Sequence, residues 1–250
     1  MAVTLDTCLT VHPSRRAFSL VELLIVIAVL AVAASLVIAH VGGAREEAET
    51  TVTRAVLHAM REAVLGTPEA PGYLDDMRGV PGFDRAAMRV HDVLDPSAYP
   101  AYAVYDPDAG RGWRGPYLRG GPPVQGANGS DGNHFPDADE RRWRRDRTFA
   151  ERGFYRPDGE SDYARRGDRA VGDAWGNPIV LQVPPAEAFA AGADGEQRFR
   201  FARLVSAGPN GVLETPLADR MAGRRADGAC PDRGDDLVLF LNRTDRYEDE

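Results

Sequence analysis

The sequence contains no lysine: all 30 basic residues are arginine, set against 38 acidic ones for a formal charge of −8. So acidic a chain is not a general nucleic-acid binder, whose affinity rests on clustered positive charge. Cysteine is almost absent, with only Cys8 and Cys230. Once a leader containing Cys8 is removed, no internal disulfide can form, and stability must come from packing or from a metal. Catalytic signatures are missing as well. The five histidines, His12, His40, His58, His91 and His134, are scattered. There is no His-Glu-x-x-His, no Gly-x-Ser-x-Gly, no Cys-x-x-Cys and no phosphate-cradling glycine loop, so the chain is not read as an enzyme. What remains, 250 residues of which 43% are hydrophobic, suits one anchor and one globular domain with its own core.

Apolar residues are concentrated at one place. From Phe18 to Ala39 the only charge is Glu22, and a helix of that length covers roughly 30 Å, the thickness of a bilayer's hydrocarbon. Arg15 and Arg16 precede the run and no further arginine occurs until Arg45. By the positive-inside rule this puts the N-terminus in the cytoplasm and everything after the run outside. A secretory signal peptide cleaved after Ala31-Val32-Ala33 is the other reading, but a signal h-region of about 7 to 15 residues is shorter than this run and excludes charge. Glu22 argues against it on energy. An ionised carboxylate in a membrane costs on the order of 3 kcal/mol unless it stays at the interface or meets a cation. A cut between Ala17 and Phe18 would create that cation, an α-amine four residues before Glu22.

Arg16-Ala17-Phe18-Ser19-Leu20-Val21-Glu22-Leu23-Leu24 resembles the class III leader of type IV pilins and type II secretion pseudopilins. In that superfamily a prepilin peptidase cuts before a phenylalanine and methylates the new amine, and the acid at the fifth mature position corresponds to Glu22. Ala17 departs from the pattern, which has glycine before the cut.

Beyond the apolar run the helix continues through Gly42-Gly43, each glycine softening it by about 1 kcal/mol relative to alanine. Val52, Val56, Ala59, Met60 and Ala63 then fall at spacings of three and four, an apolar packing stripe that ends near Leu65-Gly66-Thr67-Pro68. Residues 68–110 read as an irregular connection with one helix around Phe83 to Val93. From Arg119 to Gly172 the chain is dominated by Gly, Pro, Asp and Arg. The RRWRRDR stretch at 141–147 could be a phosphate-binding patch, but flanking Asp137, Asp139 and Glu140 favour a solvated, charge-balanced loop. Ile179 to Val183, Arg198 to Ser206 and Asp236 to Leu241 supply strands, the first fed by a Trp-Gly-Asn-Pro turn.

In that order, WRGPYL, DAWGNPIVLQVP, RLVSAGPNG and GDDLVLFL resemble the landmarks of the G-type major pseudopilin head, with the 119–172 stretch as an insertion. The resemblance implies a calcium site at the loop between the last strands. Asp235 and Asp236 match the family's acidic pair, Asn210 stands where an aspartate is usual, and the carbonyls of Leu204 and Ser206 complete the set by carry-over. Glu214 is a further acid without an assigned place. A salt-bridged or solvated acidic turn without an ion is the alternative. A rival grouping of Asp106, Asp108 and the Gly110 carbonyl lacks the terminal glutamate of an EF-hand loop.

The resemblance thus implies an α+β, pilin-like fold. A leader at 1–17 precedes a transmembrane helix at 18–39 and the periplasmic half of a helix spine at 40–66. The spine packs against a small antiparallel β-sheet head with long irregular loops, residues 67–250. It implies a structural subunit of a type II secretion pseudopilus, anchored in the bacterial inner membrane with its head in the periplasm. Its partners would be prepilin peptidase, other pseudopilin subunits and the inner-membrane assembly platform. The alternatives are a minor type IV pilin for adhesion or DNA uptake, and a soluble protein released by signal peptidase. Mass spectrometry of the mature protein is expected to find Phe18 first, with a methylated amine; Ala34 or Ala44 first would instead assign the chain to signal peptidase. Ala17→Gly is expected to be processed as fast as the parent or faster.

Overall fold

The computed structural model describes residues 19–118, 151–154, 163–165, 167–189, 192–217 and 233–242, with the side chains of 34–42 left aside. The leader, including Ala17, and Phe18 lie outside the described residues, as does the arginine-rich stretch 141–147. By its contacts the chain divides into two units, 1–47 and 48–250.

The 46-residue helix α1, Leu20–Leu65, begins in the first unit. Within that unit the described apolar side chains of the helix lie bare, among them Leu20 at 79% exposure and Leu30 at 62%. A continuous apolar helix surface of this kind is stable only where lipid or other protein covers it. Among the described residues no helix is long and apolar enough to cross a membrane. The expected span at 18–39 includes Phe18 and the side chains of 34–39, which are outside the described set.

In the second unit Met60 and Ala63 of the predicted apolar stripe face inward, but its N-terminal part runs along a different line. Thr53, Leu57, Met60, Ala63 and Val64 are buried, whereas Val52 is exposed and Val56 and Ala59 are half-buried. At its start Thr53 and Leu57, not Val52, define the inner line. Thr53 is polar and yet fully buried, its hydroxyl oxygen accepting the Ala174 N–H at 3.1 Å.

α1 ends at Leu65, where Gly66, at φ 86°, starts a small hairpin of β1, Gly66–Thr67, and β2, Ala70–Pro71. The short helix α2, Tyr73–Asp76, follows. The helix expected around 83–93 is split: a 3-10 turn at Arg85–Ala87, capped by the Asp84 carboxylate, gives way at extended Met88 to α3, Val90–Leu94. After β3, Val180–Gln182, the structure corrects the strand expected from Arg198. Residues Gly195–Phe199 form helix α4, and only Arg203–Ser206 form β4, followed by β5, Leu237–Phe240. A reciprocal capping box explains the helix: Asp194 accepts the Gln197 N–H at 2.7 Å while the Gln197 side chain accepts the Asp194 N–H at 3.3 Å.

Strands β3, β4 and β5 pair antiparallel in that order. Directly opposed residues share a face. The rung Leu181, Leu204, Leu239 faces a core built from Leu57, Met60 and Val64 of α1, Tyr73, Leu74 and Met77, and Val90 and Val93. The rung Val180, Val205, Val238 faces the other way, onto Phe154, Tyr163, Ala164 and Ala170. These four come from the stretch 119–172 expected to be an insertion. They form a third layer, with Phe154 fully buried. Phe154→Ala is therefore expected to cost about 3–5 kcal/mol in chemical unfolding, the range for deleting a buried phenylalanine; a loss near zero would show that this layer is only a covering loop.

Candidate functional site

The turn before β3 organises the acid-bearing loops. Gly176, at φ 81°, lets the chain reverse, and the Asp173 N–H donates to the Asn177 carbonyl at 2.8 Å. Asp173 is fully buried, and its carboxylate accepts from the Trp175 N–H at 3.0 Å, the Asn177 N–H at 2.7 Å and the Ser206 hydroxyl at 2.7 Å. Burial nevertheless pushes its pKa up to about 6, these hydrogen bonds only partly opposing the desolvation. Asn177 carries the network onward, its amide donating to the Gly208 carbonyl at 2.8 Å. The loop after β4 is thereby tied to the turn before β3.

That loop brings three acids together. One carboxylate oxygen from each of Glu214, Asp235 and Asp236 lies within 4.8 Å of the others. Asp236 Oδ2 accepts the N–H groups of Glu214 at 2.9 Å and Thr215 at 2.6 Å. Asp235 Oδ2 accepts the Asn210 N–H at 2.9 Å, and the Glu214 carboxylate accepts the Asp235 N–H at 3.2 Å. The remaining oxygens, Asp235 Oδ1 and Asp236 Oδ1, are shut off from water and have no hydrogen-bond partner among the described residues. Desolvation, with the Glu214 charge adding to it, pushes Asp236 up to about 6 and Asp235 in the same direction. The grouping offers only hard oxygen donors, the set that calcium and magnesium accept.

The structure places Asn210 at this grouping, but its amide oxygen turns back to accept the Val212 N–H at 2.6 Å, while its amide nitrogen donates to Glu214 at 3.2 Å. Leu204 sits mid-strand with partners on both sides, Leu181 and Leu239, so its carbonyl belongs to the sheet ladder. Ser206 ends β4 opposite Leu237 and gives its hydroxyl to Asp173. Glu214 takes the position that the sequence left unassigned. Asp106, of the rival grouping, instead forms a local turn, accepting from the N–H groups of Asp108 at 2.9 Å and Ala109 at 3.2 Å. Sequence reasoning missed Asp173 and Arg152, the latter 6% exposed and bonded to Asn177 at 2.6 Å. Asp173 stands at the head of the turn motif and was legible there; nothing local marks Arg152.

At the other end, Glu22 lies in the first turn of α1. Its N–H donates to Ser19 Oγ at 3.1 Å, and its carboxylate accepts the Ser19 N–H at 3.0 Å, a reciprocal cap on the helix start. Residues 12–38 match the family model described as the prokaryotic N-terminal methylation motif. That motif supports a place in the type IV pilin and pseudopilin superfamily. The motif is that of a pilin-like structural subunit processed by a prepilin peptidase. No curated protein and no solved structure matches the chain.

Proposed function

We propose that this pilin-like protein is a subunit of a type II secretion pseudopilus, of the G-type major kind, and that its head binds calcium. The observation that carries the assembly reading is the bare apolar surface of α1 within the residues that match the methylation motif. Such a surface has to be covered by lipid before assembly and by neighbouring helices after it. Residues 1–17 are removed by prepilin peptidase, the head stays on the periplasmic side, and a cytoplasmic ATPase with an inner-membrane platform supplies the work. Glu22 then pairs with the methylated amine of Phe18 in a neighbouring subunit. Glu22→Val is expected to insert into membranes normally, since removing a charge lowers the insertion cost, but to enter filaments poorly. Sedimentation of assembled filaments from cells reads this, and normal assembly of the variant would refute the pairing.

The calcium reading rests on the two bare oxygens, Asp235 Oδ1 and Asp236 Oδ1, beside Glu214. Three carboxylates this close repel one another, and a hard cation between them turns the repulsion into coordination. Asp235, Asp236 and Glu214 would be ligands. Asn210 would join them if its side chain turned its oxygen inward, with the Ser206 carbonyl at the end of β4 as a backbone donor. The Leu204 carbonyl, engaged in the sheet, is the weakest member of the set implied by resemblance. Calcium at a hundredfold excess over its dissociation constant is expected to stabilise the head by about 2.7 kcal/mol. Magnesium should do much less, because it holds its waters and demands a tight octahedron.

Glu214→Gln gives a test with two signs. In chelator it should melt at or above the parent, because a repulsive charge is gone; in calcium it should melt below, because a ligand is gone. Asp236→Ala should abolish the calcium response, and Asn210→Asp should strengthen it. Superimposed melting curves with calcium and with chelator would leave only an acidic turn.

A further inference from the structure

The insertion grips the loop that carries the acids. Arg152 Nε donates to the Gly211 carbonyl at 2.5 Å and its guanidinium donates to Asn177 Oδ1 at 2.6 Å. The Arg152 carbonyl accepts the Leu213 N–H at 2.8 Å. Gly153, at φ 84°, presses so closely on the loop that a Cβ there would lie 2.8 Å from the Leu213 carbonyl oxygen. Its own carbonyl accepts the Tyr163 hydroxyl, and Phe154 beyond it is locked in the core. On its other side the same loop meets the acids. Gly208, at φ 57°, backs onto Asp235, where a Cβ would come within 2.3 Å of the carbonyl oxygen. Asn210 donates its N–H to Asp235, and Glu214 donates its N–H to Asp236. Residues 208–214 are thus held between the insertion and the acid pair.

We propose that Arg152 is a positioning residue that sets the cation affinity of the Glu214, Asp235, Asp236 grouping, so that the insertion works as a latch on the metal loop. This rests on the calcium reading above. Without an ion, three mutually repelling carboxylates relax by moving apart, and Glu214 is the member carried on the loop, opposite the acid pair that precedes β5. Arg152 opposes that movement from behind: its side chain holds the Gly211 carbonyl and, through Asn177, the turn before β3, while its backbone carbonyl holds the Leu213 N–H. Ligands kept together before the ion arrives bind it more tightly, because less ordering remains to be done on binding. Contacts of this kind behind a ligand set typically alter metal affinity about 10- to 100-fold.

The experiment is a calcium titration of the full-length chain in detergent, followed by calorimetry and by thermal melting, with parent, Arg152→Ala and Tyr163→Phe compared. Arg152→Ala is expected to weaken the calcium dissociation constant by about 10- to 100-fold. Tyr163→Phe, which removes one hydrogen bond from Gly153 without opening a cavity, should move it in the same direction by less, and decides the matter if Arg152→Ala does not fold. A purely structural role would lower melting equally in chelator and in saturating calcium and leave the dissociation constant at the parental value. That result in the folded variants overturns the latch while the calcium reading stands. A parent with no calcium response overturns both, and the two failures are told apart by the parent alone.

Discussion

A sheet of three strands, each three or four residues long, has two apolar faces to bury, and the arrangement of residues 48–250 follows from that constraint. The Leu181, Leu204, Leu239 rung is covered by the end of α1 and by the segments carrying Tyr73 and Val90. A sheet this small closed on one face only would leave Val180 and Val205 in water, and strands this short are marginal without a second layer. Phe154, Tyr163, Ala164 and Ala170 supply it. Both valines are fully buried as a result.

Burying both faces brings polar groups inside, and Arg203 and Asp173 are answered by partners. Arg203 shares the valine face and is fully buried, donating to the Gln182 side chain at 3.0 Å and to the Pro216 carbonyl at 2.6 Å. Pro216 follows the loop that carries Glu214, so the buried arginine anchors the far end of the loop whose near end is fixed by Arg152 and Asn177. Asp173 plays the corresponding part on the other face of the turn, its carboxylate replacing water for two backbone N–H groups and the Ser206 hydroxyl. A buried carboxylate with these donors costs less than a bare one, yet its pKa still rises. The acid grouping differs, since its inward oxygens lack partners among the described residues.

What could be read from the sequence divides along the range of the interactions involved. The three strands, the stop at Leu65 and the turn at 173–177 depend on neighbours within a few residues, and their residue types announce them. Helix α4 has a local signal too, the Asp194 and Gln197 cap, which the strand expected from Arg198 leaves out. The expected stripe of α1 holds at Met60 and Ala63 but not at Val52, because Thr53 is buried for a hydrogen bond with Ala174, which is distant in sequence. The third layer was invisible for the same reason. Phe154 and Tyr163 stand among arginines, glycines and aspartates, and only the path of the chain brings them to Val180. Asp235 and Asp236 are adjacent and conspicuous, whereas Glu214 joins them through a loop closure that no local pattern encodes.

The position of Glu22 answers to a similar accounting of free donors. The first four N–H groups of a helix have no partner inside it, and every later one does. A carboxylate in the first turn can therefore accept a backbone N–H and lie in the positive end of the helix dipole, as Glu22 does with Ser19. One or two turns further along, at Ala28 or Leu30, the same carboxylate would face bare apolar surface with every backbone N–H already bonded. The cap is worth about 0.5–2 kcal/mol, less than the on-the-order-of-3 kcal/mol cost of an acid in hydrocarbon. The first turn thus makes the acid tolerable in a lone chain without making it comfortable. That remaining cost is what a cation brought close by another subunit can remove, and it favours assembly over the lone chain.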